Sequence, residues 1–312
     1  MTLRDYFDEP VDDPPAFEGV NEQSPPVVAG QVPEKADNCP AVSFLANILL
    51  SLDLSRYEPS LPEKLIDFGC FWLNDRPVFE PDFRLQTGQK YRFNWPRYGP
   101  VKFYQPDEKR IVYEDDGLIV YDKESGRPSQ AVPHDNYNNV LAGLERLTGI
   151  KLRLANRLDA GTSGLIIASK NQTVAGLMGK SFSQSRIKKI YLALTCGPSP
   201  DRSEQTVTAA IAKAGPHYVA RAEGPGRPAK TILKVLNEKE NLLLWAAWPL
   251  TGKTHQIRLH LAFVGFPILG DIFYGGGPDR RLRLRAAGLR FFHPTGGREI
   301  ILGLTDEDLA GL

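Results

Sequence analysis

The residues most able to do chemistry lie in the stretch NRLDAGTSGLIIASKN, residues 156–171. Asp159 sits there among small residues (Ala160, Gly161, Thr162, Ser163, Gly164), directly before an apolar run that reads as a strand. Small side chains let another molecule's backbone come close, and glycines reach conformations other residues avoid. A carboxylate on such a loop, anchored to a rigid strand, is suited to act as nucleophile or general base. The plainer alternative is an aspartate that caps its own turn, and composition alone favours that reading. The loop is too short for a phosphate cradle and lacks the Gly-Lys pair of a P-loop. His255 and His260, with Asp271, suggest a metal set. Five residues apart on one helix, however, the histidines do not share a face as an i, i+4 pair would. No metal site is expected.

Such a loop needs a scaffold, and the flanking pattern supplies one. RIVYEDDGLIVYDK reads as a hairpin turning at Asp116-Gly117. Residues 138–148 make an amphipathic helix ended by Gly149, and strands at 164–169 and 189–195 flank a helix at 172–184. KTILKVL and NLLLWAAW form a hairpin across Glu238–Glu240, THQIRLHLAFVG is a helix, and LRFFHPTGGREIIL closes the series with another hairpin. The arginines at 280, 281, 283, 285 and 290 interleave with leucines, which is read as a helix with one solvated face. Strands repeatedly joined by hairpins, with helices between, predict an α+β fold on a mainly antiparallel mixed sheet over 103–312.

Ahead of it, residues 41–98 predict a small α+β domain. AVSFLANILLSLDL has helical spacing, and the strand-like runs after it turn at Asn74-Asp75 and Thr87-Gly88-Gln89. This portion loosely resembles the small RNA-binding domain named after the fourth protein of the small ribosomal subunit. A plain packing domain is the competing reading. Residues 1–40 are rich in proline and acid and read as a disordered tail.

Arg157-Leu158-Asp159, two further residues, then Thr162-Ser163-Gly164-Leu165 is similar to the signature of the RluA-type pseudouridine synthase family. KKIYLALTCG (188–197), RPAKTILKVL (227–236), PLTGKTHQIRLHLAFVGFPILGDIFYGG (249–276) and Phe291 to Pro294 resemble further blocks of that family in the same order. The resemblance implies isomerisation of uridine to pseudouridine in structured RNA, ribosomal RNA before transfer RNA, after the nucleotide is flipped into a pocket. No cofactor is implied, because the reaction has no redox step and adds no group. The resemblance assigns Asp159 as the indispensable carboxylate, Arg258 as its basic partner in an Arg–carboxylate fork, and Tyr191 as the aromatic residue beside the base. Arg157 would fill the space the base vacates. Thr162, Lys189, His255, Arg281 and Arg283 are expected to contact RNA, the last two within a basic cluster that tracks phosphates. Asn156 departs from the histidine usual before Arg-Leu-Asp. YDKESGRPSQ (121–130) follows the family's Lys-Pro-x-Gly-Leu strand end only in Lys123, Gly126, Pro128 and Ser129. Both departures point to an unusual RNA target rather than a dead enzyme.

Charge and composition agree with this and exclude other classes. Residues 1–40 carry a net charge of −7, so the remaining 272 carry +8 and suit a phosphate-bearing partner. No apolar run is long enough to span a bilayer, and the start lacks a secretory layout. The three cysteines form no C-x-x-C pair, which predicts a reducing, cytoplasmic setting. A monomer without nucleotide cofactor is expected. The alternatives are an RNA-binding or ribosome-assembly factor that keeps the fold without activity, and a phosphotransferase of the actin and sugar-kinase superfamily. The latter matches only in Asp-x-Gly-Thr at 159–162.

Overall fold

The computed structural model describes residues 28–52, 59–94, 104–132, 136–198, 200, 202–215 and 217–305. They divide into two compact units, one built from 107–129 and 148–305, the other from 28–106 and 130–147. Residues 1–27 of the expected tail lie outside the described residues.

In the smaller unit, α1 (Ala41–Ser51) and α2 (Leu61–Asp67) pack on a four-stranded antiparallel sheet. Its order is β1 (Val28–Gln31), β4 (Lys90–Phe93), β2 (Phe71–Leu73), β3 (Arg76–Pro77). Helix α1 buries Ala41, Phe44, Leu45, Ile48 and Leu49, a helical stripe. Those side chains meet Leu65, Phe71 and Phe93 in one core. Asn74 and Asp75 join β2 to β3 with φ of 47° and 62°, both left-handed, as a tight hairpin requires. Two expectations need correction. Residues 28–31, read as tail, form a strand because β4 offers them a free edge. Residues 130–147, read as part of the larger domain, belong to this unit. There α3 (Val140–Thr148) is tied in by Arg146, which donates to the carbonyls of Tyr104 (2.6 Å) and Tyr137 (3.2 Å).

The larger unit is an α+β fold on a ten-stranded sheet. Its strands are β5 (Ile111–Glu114), β6 (Leu118–Lys123), β7 (Arg153–Leu154), β8 (Ser163–Ser169), β9 (Lys188–Cys196) and β10 (Gln205–Thr208). They continue as β13 (Lys230–Lys239), β14 (Leu242–Pro249), β15 (Leu284–Phe292) and β16 (Glu299–Gly303). Between β10 and β13, β11 (Ala210–Ala214) and β12 (His217–Arg221) form a separate hairpin. The main order is β10-β13-β14-β9-β15-β8-β6-β5, with β16 on β15 and β7 on β8. The β8–β15 pair is parallel, and the other ladders among the described residues are antiparallel. Helices α4 (Gln172–Ser183) and α5 (Gln256–Phe263) lie against this sheet.

Strand β8 is buried along its whole length, which explains its unbroken apolar run. The β13–β14 turn falls at Glu240-Asn241, both left-handed, rather than at Glu238–Glu240. The stretch 280–290 is not the expected helix, because Leu284–Phe292 forms β15 in mid-sheet between β8 and β9. The Arg and Leu alternation of 281–285 runs into this strand, whose first residues are Leu284 and Arg285.

Candidate active site

The loop before β8 is held from beneath by the segment that follows β6. Lys123 is fully buried and donates to the carbonyls of Glu124 (2.8 Å), Arg127 (2.7 Å) and Ala160 (3.0 Å). Gly126 N–H also donates to Ala160 O (2.8 Å), and the Ser125 hydroxyl donates to Gly161 O (2.7 Å). Ser129 Oγ donates to Leu158 O (2.6 Å) and accepts from Leu158 N–H (2.9 Å). Carbonyls on three of the four residues from Leu158 to Gly161 are thus engaged by one short stretch. The departure at 121–130 therefore preserves a bracket for the loop. Asn156, the other departure, accepts from Ile167 N–H through its side-chain oxygen (2.8 Å) and ties the loop's entry to β8.

Within the bracket, Thr162 N–H donates to Asp159 O (3.0 Å) and closes a turn. The Asp159 carboxylate faces across to α5, where Arg258 Nη1 lies 3.4 Å and His255 Nε2 3.7 Å from its Oδ2. Its side chain is about one-third exposed, at 31%. The expected fork between Arg258 and Asp159 is not what forms. Arg258 Nε and Nη2 donate to both oxygens of Asp271 at 2.7 and 2.8 Å, and Asp159 receives the remaining Nη1 at longer range. Asp271 is fully buried and can offer a desolvated, bidentate partner, which a part-exposed Asp159 does not. Burial works against the charge on Arg258, but Asp271 and then Asp159 outweigh it and raise its pKa. The Arg258 guanidinium also lies over the Tyr274 ring, 4.9 Å from its centroid.

His255 precedes α5 with φ of 55°, a left-handed geometry that turns its ring toward the site. Its Nδ1 is 2.6 Å from the Tyr274 hydroxyl. Burial lowers its pKa despite Asp159 nearby, which favours the neutral ring. Buried Gln256 sets the start of α5: its amide donates to Lys230 O (3.0 Å) and Thr231 Oγ1 (2.9 Å), and its oxygen accepts from Thr251 Oγ1 and Lys253 N–H. His260 is buried between Thr231 Oγ1 (2.8 Å) and Ala209 O (3.4 Å), a packing role. Among the described residues no cluster of His, Cys, Asp and Glu is suited to hold a metal.

Tyr191 reaches the site by register. Gly164, Ala286, Tyr191 and Ala247 stand in one row across β8, β15, β9 and β14, so Tyr191 is flanked by two alanines. Gly164 is required here: its φ is +103°, and a Cβ would meet Ala286 O at 2.2 Å. Burial, and then the Asp159 charge, push the Tyr191 hydroxyl far up, so it stays protonated.

The expected RNA-contacting residues separate. Arg157 is exposed at the loop, whereas Lys189 and Arg281 are half-buried. Lys189 packs its ammonium over the Phe182 ring (5.9 Å), and burial lowers its pKa. Thr162 is buried and shapes the turn rather than presenting a contact surface. Arg283 is also buried and is paired with Asp279 (2.9 Å), while Arg285 Nη2 donates to both oxygens of Asp122 at 2.8 Å. Carboxylates already occupy this part of the supposed phosphate-tracking cluster. Sequence reasoning overlooked Asp271 as the partner of Arg258, and Tyr274 and Gln256 altogether. All three lie within the block 249–276, where the sequence suggests Asp271 only as a metal ligand.

Residues 117–263 match the family model described as RNA pseudouridylate synthase. Ribosomal large subunit pseudouridine synthase C of Vibrio parahaemolyticus is 32% identical over 203 residues, 60% of this chain and 62% of that protein. The chain therefore spans under two thirds of that relative's length. An uncharacterized RNA pseudouridine synthase of Mycoplasma pneumoniae, the MG209 homolog, is 30% identical over 272 residues, 83% of this chain and 86% of that protein. Among solved structures, human RNA Pseudouridylate Synthase Domain Containing 1 matches with a TM-score of 0.54 at 26% identity. That match covers 65% of this chain and 86% of the human one.

Proposed function

The chain belongs to the RluA-type RNA pseudouridine synthase family, and on that premise we propose that it converts uridine to pseudouridine in structured RNA, with Asp159 as the essential carboxylate. Ribosomal RNA is the favoured substrate, in line with the name of the Vibrio relative. The bond from uracil N1 to ribose C1′ breaks, the base turns, and C5 bonds to C1′. The C5 proton leaves to solvent, and N1 ends protonated. No cofactor is needed for this balance.

The observation that carries the reading is the placement of Asp159, bracketed by 123–129 and faced by an arginine whose own orientation Asp271 fixes. As nucleophile at C1′ or as base toward the ribose, Asp159 must be held in place, and Arg258 faces its carboxylate at 3.4 Å. The high pKa of Tyr191 suits stacking on uracil and donating a hydrogen bond better than removing the C5 proton. Exposed Arg157 is free to fill the space left by the flipped base. The smaller unit adds RNA contacts, and the protein works as a cytoplasmic monomer. No helix among the described residues is long and apolar enough to cross a membrane.

The test is tritium release from RNA carrying labelled uracil C5, comparing the wild-type protein with Asp159→Ala. Release by the wild type and none by the variant is expected. Equal release from both would remove Asp159 from the mechanism. RNA binding by the wild type without release would favour the assembly-factor reading. The phosphotransferase alternative has no support in the family or the fold neighbours.

A further inference from the structure

Ile272 and Phe273 are two consecutive large apolar residues left in water, 79% and 62% exposed. They are the central residues of a turn in which Tyr274 N–H donates to Asp271 O (3.2 Å) and Gly276 N–H to the same oxygen (2.8 Å). Both ends of that turn are fixed in the active site. Asp271 is forked by Arg258, and the Tyr274 hydroxyl is bonded to His255. The side chains between them project into solvent from that turn. Turn centres ordinarily carry polar or flexible residues, because apolar ones gain nothing there. Phe273 is not solitary: its ring is 5.6 Å from that of His217 on β12. On β12, His217 and Arg221 are exposed and share a face, while Lys213, paired with Tyr218, lies on the other. Exposed Phe273 thus lies beside a strand that carries Arg221 on the same face as His217, a combination that fits a nucleobase beside its phosphate.

We propose that Phe273, with Ile272, is a wedge that stacks on a nucleobase of the RNA next to the target uridine, and so holds open the strand from which that uridine is flipped. The inference rests on the RNA-modifying reading of the same site. It differs from the role given to Arg157, which fills the vacated position itself. The occupant is a base and not a protein surface, because the neighbouring charge is basic and the patch is only two side chains wide.

Fluorescence anisotropy with a labelled, uridine-containing RNA hairpin would compare wild type, Phe273→Ala, Phe273→Leu and Phe273→Trp. Loss of one stack weakens binding about fivefold or more. Alanine and leucine should both show that loss, and tryptophan should retain wild-type affinity with its fluorescence quenched on binding. All four should share one thermal midpoint, since the side chain is exposed. Wild-type affinity in Phe273→Ala, full rescue by leucine, or no binding by the wild type would each overturn the wedge. Tritium release by the wild type, measured in parallel, keeps the two ideas apart. Phe273-dependent binding without release would retain the wedge and sink the reaction, and release without Phe273-dependent binding would do the reverse.

Discussion

Arg258 divides one guanidinium between two carboxylates, and it does so unequally. Its planar fork goes to Asp271, and Asp159 is left with a single longer contact and about one-third of its surface open. That division suits a reactive carboxylate, which must be held yet remain approachable. Asp271 has no exposure, so the fork is a buried ion pair, and losing one member leaves an uncompensated charge. Asp271→Ala should therefore lower stability in urea by about 3 kcal/mol or more. Asp159→Ala should cost far less stability while removing turnover. Denaturation and tritium-release curves on the same preparations would check both. Comparable stability losses in the two variants would show that Asp271 is not the anchor.

At the scale of elements, the Asp159 loop owes its geometry to the β6 strand end, and β6 is in turn fixed by the hairpin joining it to β5. Asp115 organises that hairpin: its Oδ1 accepts from Gly117 and Leu118 N–H at 2.8 and 2.9 Å, and His293 Nε2 lies 3.0 Å from its Oδ2. Tyr113 and Arg298 complete the cluster. Burial pushes the Asp115 carboxyl up, but the Tyr113 hydroxyl, the two amides and His293 outweigh it and hold the pKa at about 2, against 3.8 when unfolded. The unfolded chain then binds this proton first as the pH falls. Stability from Asp115 is complete above pH 3.8 and drains away as the pH approaches 2. The amount is on the order of 2 kcal/mol. Urea titrations at stepped pH should show that loss in the wild type and a flatter profile, lower at neutral pH, in Asp115→Asn. Parallel profiles would refute the assignment.

For the whole molecule, charge is the organising quantity. Residues 1–27 hold seven acidic side chains and one arginine, while the rest of the chain is basic. An acidic segment tethered to a basic body competes with RNA phosphates, and salt screens that competition. A chain starting at residue 28 should bind ribosomal RNA more tightly than the full chain at low salt. The two affinities should converge as salt rises. Equal affinities at low salt in a binding titration would show that the segment does not compete. Sequence by itself determined the α+β architecture and the Asp159 loop ahead of a buried strand, because these depend on local pattern and near neighbours, while the grouping of Tyr191 and Arg258 with that loop was implied by the family resemblance alone. The smaller unit's claim on residues 28–31 and 130–147 depended on edges that only the assembled sheet and core provide. Which carboxylate takes the fork of Arg258, and whether Arg283 faces RNA or Asp279, was decided by tertiary structure alone. Hydrogen-bond partners are chosen by distance and desolvation, and the register of strands far apart in the chain sets both.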